Sequence, residues 1–288
     1  MTRPKPYSLP DPGNIYYEIP GIARTTTLMD TTGKSTRAIT INGSEKTLIM
    51  ITAGQSLATD LITDTFTATN AAKIDNVTWH DGKCYAAATP LLGTSWNGSN
   101  ATSVNFNHKI ADGIISNAKF DRVIIIPTNL SGTTADIWER EGASSTEATG
   151  YWRCIAAAIL KLNAQNINMN TTGVKWLIKW NQGESDTQVS TTQVAYANSM
   201  TKMINRINTY APGIKWMIAK ETWYIGTVSS AVQAAQTGLI NGSTIFAGED
   251  MDTNINATGR IGDNTHLNAA GGNTATTLGI AAITAITF

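Results

Sequence analysis

Three residues of this chain have the types and spacing of a catalytic relay: Ser56, and a pair, Asp263 and His266, separated by two positions near the C-terminus. A carboxylate three residues ahead of an imidazole on one turn can reach a ring nitrogen and fix the tautomer. The other nitrogen is then left free as a base. A hydroxyl brought to that nitrogen becomes a nucleophile, and acyl transfer is the chemistry such a set performs. Only three histidines are present. His80 has just the adjacent Asp81 as an acidic neighbour, and His108 has none at comparable spacing. Both read as structural, with His80 kept as a candidate substrate contact.

Elements must exist that carry these residues to one place. Short apolar runs recur at 47–54 (TLIMITAG), 122–130 (RVIIIPTNL), 174–182 (VKWLIKWNQ), 214–223 (IKWMIAKETW) and 244–251 (TIFAGEDM). They read as strands apolar on both faces. Between them, Trp152, Ile155, Ala156, Ile159 and Leu160 share one helical face. Tyr196, Met200, Met203, Ile204 and Ile207 share another, and Val228, Val232, Ala235 and Leu239 a third. This alternation predicts a three-layer α/β/α sandwich around a mostly parallel sheet. Ligands of such sheets bind beyond the carboxyl ends of the strands. Ser56, the Ser131-Gly132-Thr133-Thr134 segment, the WNQGESD segment at 180–186 and the DNTH segment at 263–266 all follow strands. Residues 1–46, rich in Pro, Gly and Thr, read as an arm or short strands before a domain over 47–288.

Composition excludes several other functions. Lysine plus arginine equals aspartate plus glutamate at 21 each, and 15% of residues are charged, so no basic field for nucleic acid exists. No apolar run reaches the ~18 residues of a membrane span, and the opening MTRPKPYSLPDPGN lacks a signal-peptide core. Cys84 and Cys154 have no metal-like spacing and read as buried thiols. Glu184 and Asp186 are too close in sequence for a glycosidase pair. Asp250 and Asp252 lack a third ligand, so no metal is expected. The G-x-S-x-G elbow of α/β-hydrolases is absent, because position 58 is Ala.

Gly54-Gln55-Ser56 after a strand, PLLG at 90–93, WNQGESD at 180–186 and DNTHLNAAG at 263–271 together resemble the SGNH-hydrolase superfamily, in its sialate O-acetylesterase-like, carbohydrate-esterase branch. The resemblance spans about 47–280 and implies a flavodoxin-like sandwich. It implies Ser56 as nucleophile, His266 as base and Asp263 as its partner. It also implies an oxyanion hole from the N–H groups of Ser56 and Gly93 and the side-chain amide of Gln182, with no cofactor. One departure stands beside the nucleophile, where Leu57 replaces the asparagine of the family's GQSN. The implied function is removal of O-acetyl groups from a carbohydrate. A glycan-binding module without catalysis, or a lipase or thioesterase of the same superfamily, are the alternatives. Trp96 and Trp138, in loops near strand ends, are candidate stacking platforms for sugar rings.

DGKCYAAATPLLG, followed by DRVIIIPTNLSGTTADIW, is also similar to esterase domains of bacteriophage tail fibres and tailspikes. That similarity implies an acetylated surface polysaccharide as substrate, an extracellular or virion-associated setting and a homotrimer.

Overall fold

The computed structural model describes residues 31–59, 62–93, 103–140 and 150–288. In chain order the strands are β1 (Thr36–Arg37), β2 (Thr47–Gly54), β3 (Ile62–Thr63), β4 (Ile74–Val77), β5 (Cys84–Ala86), β6 (Ser103–Val104), β7 (Arg122–Pro127), β8 (Val174–Asn181), β9 (Lys215–Lys220) and β10 (Ile245–Asp250). The helices are α1 (Phe106–Ser116), α2 (Ala135–Glu139), α3 (Trp152–Asn163), α4 (Glu184–Gln188), α5 (Gln193–Asn208), α6 (Ser230–Gly238), α7 (Met251–Asn254) and α8 (Ala269–Ala285).

Eight strands form one sheet in the order β1-β5-β4-β7-β2-β8-β9-β10, and β3 pairs with β6 apart from it. The six strands from β4 to β10 in that order run parallel, with Gly54 of β2 opposite Asn181 of β8. Strand β2 is buried along its whole length. Alternate residues of a strand point to opposite faces. Ile49, Ile51 and Ala53 accordingly pack with Ile155 and Ile159 of α3, Met200 and Met203 of α5 and Val232 of α6. Leu48 and Met50 pack on the other face with Ile110 and Ile114 of α1 and Ala275 and Ile283 of α8. Two apolar layers thus clamp the sheet, which is the three-layer sandwich expected from the alternation of runs.

The structure extends the sequence reading at one flank. Residues 36–37, inside the expected arm, form the edge strand β1, antiparallel to β5, which is itself antiparallel to β4. Asp75 of β4 is fully buried there. It is matched by Arg37 of β1 at 3.1 Å and by Arg122 of β7, whose Nε lies at 2.7 Å. An ion-paired strand reading IDNV carries no apolar signature. Cys84 and Cys154 are free and buried. No described helix is long and apolar enough to cross a membrane.

Candidate active site

Strand β2 stops because its last residue has a conformation and a contact that only glycine allows. Gly54 has φ +123°, and a Cβ there would lie 1.8 Å from the carbonyl oxygen of Asn181. The N–H of Gln55 donates to that same oxygen at 2.9 Å. The chain then turns once as a 3₁₀ helix, Ser56–Ala58, closed by Ala58 N–H to Gln55 O and Thr59 N–H to Ser56 O. Ser56 therefore sits just past the carboxyl end of the central strand. Its own N–H donates to no described residue.

Asparagines from two other elements fasten this turn. The carbonyl oxygen of Ala58 accepts from Asn129 at 2.8 Å, Asn105 at 3.0 Å and Asn107 at 3.4 Å. Asn105 caps α1 and Asn129 follows β7. Leu57, where the related motif has asparagine, is buried in the apolar layer with α1 and α8. Polar fixation beside the nucleophile thus comes from α1 and the β7 loop, and position 57 joins the core.

The acid and the base lie on a loop closed by the bridge between Arg260 and Leu267 and by the Ile261 N–H to His266 O bond at 2.8 Å. Asp263 Oδ1 accepts from the N–H groups of Thr265 and His266, each at 2.9 Å. This Asx-type turn aims its other oxygen at the imidazole. Asp263 Oδ2 lies 2.6 Å from His266 Nδ1, and His266 Nε2 lies 2.9 Å from Ser56 Oγ. Burial works to raise the Asp263 carboxyl, but the hydrogen bonds from the His266 ring and the two N–H groups outweigh it and hold it below its ordinary value. It is ionised at neutral pH, which favours the Nδ1–H tautomer. Outside anchors fix the loop: Trp223 Nε1 to Asn264 O at 2.9 Å, Ile225 N–H to Thr265 Oγ1 at 3.0 Å, and Arg260 Nη1 to Thr265 O at 2.5 Å.

The amide of Gln182 departs from the sequence expectation. Its Nε2 donates to Thr133 O at 2.9 Å, Asp186 Oδ2 at 2.5 Å and Gln55 Oε1 at 3.2 Å. Two amide hydrogens facing three acceptors leave none for a substrate oxygen. Gln182 instead holds Gln55, whose Oε1 also accepts from Ser185 N–H at 3.2 Å. Asp186 completes the clamp, its Oδ2 accepting from Ala135 N–H at 2.9 Å. Gly93 lies at the carboxyl end of β7, where a Cβ would meet Pro127 O at 2.6 Å. The N–H of Gly93 also donates to no described residue.

Two further expectations are corrected. Trp138 is fully buried, its ring 5.0 Å from that of Trp180 and its Nε1 donating to Thr133 Oγ1 at 2.8 Å. It is core and offers no sugar platform. His80 lies in the β4–β5 hairpin with its side chain 3% exposed and its Nε2 3.9 Å from Asp81, with Lys161 and Lys83 as the next charges, so it offers almost no surface to a substrate. Trp96 lies outside the described residues. Asp252 is absorbed in structure, accepting from the N–H groups of Thr222 and Trp223. Among the described residues no group of three or more His, Cys, Asp or Glu could hold a metal ion.

A parallel sandwich with serine, histidine and aspartate brought together past the strand ends has the arrangement of a hydrolase of SGNH-like fold. The model of the SASA family, carbohydrate esterases described as sialic acid-specific acetylesterases, matches residues 47–282. The chain belongs to this family and is a carbohydrate O-acetylesterase, a carboxylic ester hydrolase. No curated protein matches the sequence. Among solved structures it is similar to a protein from Arabidopsis thaliana, with TM-score 0.60 and 16% identity over 84% of this chain and 100% of that one. It is also similar to a carbohydrate acetylesterase from Xanthomonas citri, with TM-score 0.57 and 12% identity over 83% of this chain and 56% of that one. At such identities the likeness is one of fold.

Proposed function

We propose that Ser56 is the nucleophile that removes O-acetyl groups from a sugar, with His266 as general base and Asp263 as its orienting acid. One observation carries this reading: the unbroken chain from Asp263 Oδ2 through the imidazole to Ser56 Oγ, at 2.6 and 2.9 Å. His266 Nε2 takes the Ser56 proton as Oγ bonds to the acetyl carbon. The carbonyl π electrons move to oxygen, and the N–H groups of Ser56 and Gly93 receive that oxyanion. Collapse expels the sugar alkoxide, which takes the proton from His266. Water, deprotonated at the same nitrogen, then bonds to the acetyl carbon, and collapse releases acetate as Ser56 Oγ leaves and takes the proton back from His266. In this reading Gln182 positions Gln55 and makes no contact with the oxyanion.

The finer substrate, an O-acetylated bacterial surface polysaccharide met by a virion tail protein, is supported by the two segments quoted for that similarity and by the Thr-, Asn- and Gly-rich composition. Acetate release from such a polysaccharide, without chain cleavage, tests it. Preference for long-chain esters would favour the lipase alternative. Ser56→Ala is expected to lower acetyl-ester turnover at least ~10³-fold with the circular dichroism spectrum unchanged. Near-native turnover in that variant would overturn the assignment.

A further inference from the structure

Glu184, in the segment after β8, has no part in the chemistry proposed above, yet it is buried at the start of α4. It meets Glu221, buried just past β9. Asn181 Nδ2 donates to Glu221 Oε2 at 2.9 Å. No N–H or O–H of another described residue reaches Glu221 Oε1 or either oxygen of Glu184. A Cβ on Gly183 would lie 1.9 Å from Glu221 O, so Glu184 and Glu221 adjoin, and with no other donor the unpartnered oxygens of the two carboxyl groups are left to each other. Two carboxylates have no hydrogen to share, whereas a carboxylic acid and a carboxylate do.

The surrounding charges require the same state. Lys179 is fully buried with Nζ 2.8 Å from Glu249 Oε1, and it also donates to Asn181 Oδ1 at 2.5 Å. That pair is neutral by itself. Among the described residues Arg260 is the other buried cation. Its Nη1 holds Thr265 O, its Nη2 lies 3.4 Å from Ile255 O, and its guanidinium stands 4.9 Å from the Trp223 ring. The acidic groups acting on it most strongly are Glu221 and then Glu184, followed by Asp252 and Asp263. One negative charge on the Glu184 and Glu221 pair balances Arg260. Two would put adjacent like charges in a dry interior, and none would leave only the weaker charges of Asp252 and Asp263 against the guanidinium. Burial pushes Glu221 up to about 7 against the Asn181 hydrogen bond and the Lys179 charge, and burial with the Glu221 charge raises Glu184 well above its ordinary value.

We propose that Glu184 and Glu221 hold one proton between them, and that the single negative charge of the pair keeps Arg260 on the Thr265 carbonyl and so positions His266. The inference rests on His266 being the base. Glu184, Glu221 and Arg260 are positioning residues; none touches Ser56.

The test is a charge series. In E184Q the amide N–H replaces the shared proton and Glu221 stays ionised; in E184Q/E221Q the charge is gone. At pH 7, E184Q is expected to lower kcat by no more than about threefold, and the double variant by at least about tenfold with KM within about twofold. In the wild type, loss of the shared proton at alkaline pH adds a second buried negative charge, so kcat falls along an alkaline limb. E184Q has no such proton and lacks the limb. Lys179, Glu249, Arg260, Asp252, Asp263 and Tyr196, the other titratable groups facing the pair, are common to both proteins and cancel in the comparison. A limb that persists in E184Q, or a double variant with native kcat, overturns the proposal. If the double variant does not fold, the E184Q limb decides. The proton itself is read without catalysis, as an infrared carboxylic-acid band present at pH 7 in the wild type and absent in E184Q; its absence from the wild type overturns the proposal. Turnover surviving in H266A would instead sink the reading of His266, leaving the infrared result to stand.

Discussion

The two halves of the active site are built differently. Ser56 is 5% exposed, Asp186 1% and Gln182 not at all, all on segments that continue the central strands. The side chains of His266 and Asp263 are 22% and 43% exposed, on a turn beyond the last strand. A buried half draws its geometry from the sheet, so substitutions there that disturb packing or buried hydrogen bonds damage folding together with catalysis. A solvent-facing half is set by a few hydrogen bonds, so changes there alter turnover and spare stability.

The largest expected effect breaks the buried half. Gly54→Ala puts a methyl 1.8 Å from Asn181 O on a backbone at φ +123°, between the two central strands. This variant is expected to yield no soluble folded protein, as read by expression and thermal melting. A folded Gly54→Ala enzyme would show that the strand end yields and that the burial contrast is shallow. Next comes the exposed half. Asp263→Asn keeps the shape of the turn but replaces the carboxylate that fixes the imidazole tautomer. It should lower kcat about 10³- to 10⁴-fold, with the melting temperature moved by no more than about 2 °C. The paired measurement is kcat and Tm on one preparation. A small loss of kcat would leave the Arg260 and Trp223 anchors as sufficient to orient His266.

An intermediate case sharpens the contrast. Gln182→Ala removes the link between Gln55, Thr133 and Asp186, and leaves the Asp186 carboxylate with Ala135 N–H as its remaining donor among these contacts. Both readouts should move, with kcat falling about 10- to 100-fold and stability dropping by about 2 kcal/mol. A kcat loss with Tm unchanged would return Gln182 to the oxyanion hole. Asp186→Asn should reproduce the stability loss only in part, because the amide keeps only part of the clamp but relieves the desolvation that raises the carboxyl.

The same contrast explains what the sequence could show. Five of the six parallel strands were legible because strands covered on both faces are apolar along most of their length, and the relay because Asp263 and His266 are close in sequence and follow a strand. Helix α1 escaped because Asn105, Asn107 and His108 interrupt its apolar face, and β4 because its buried Asp75 is matched by arginines from β1 and β7. Gln182 reads as an oxyanion donor by position. Only the placement of Thr133 O and Asp186, on other segments or a turn away, redirects its amide. Arg260 and Glu221 likewise lie 39 residues apart, and nothing local marks either as a partner of the other. Asn129 had a signal, being a polar residue directly after a strand.

The smallest effect concerns pH and belongs to buried residues outside the relay. His108 is buried on α1 with its ring edge-on to Phe66 at 5.1 Å, and no hydrogen bond from a described residue reaches either ring nitrogen. Burial lowers it to about 4, against the charge of Asp112. Burial likewise lowers His80 to about 4. In the unfolded chain each histidine titrates near ~6.5. Between these values the unfolded state binds protons that the folded state refuses, so stability falls as pH drops below about 6.5 and levels off near 4. Each histidine contributes a slope of about 1.4 kcal/mol per pH unit in that window. Carboxyls held low in the fold, such as Asp263, act in the other range: their contribution is present above the unfolded carboxylate value and is lost only as pH falls through the lower folded one. The raised carboxyls of Glu184, Glu221 and Asp186 act in the window from 4 to 6.5 as well, with the opposite sign, because there the folded state holds protons that the unfolded state has lost, so the histidine share is read as a difference between wild type and variant. His108→Leu keeps an apolar group against Phe66 and should change the slope by the share of one histidine, about 1.4 kcal/mol per pH unit in that window, measured as urea midpoints at pH 7.5 and 5.0. If the slope stays whole, His108 accepts its proton within the fold, and the buried half is better hydrated than its packing shows.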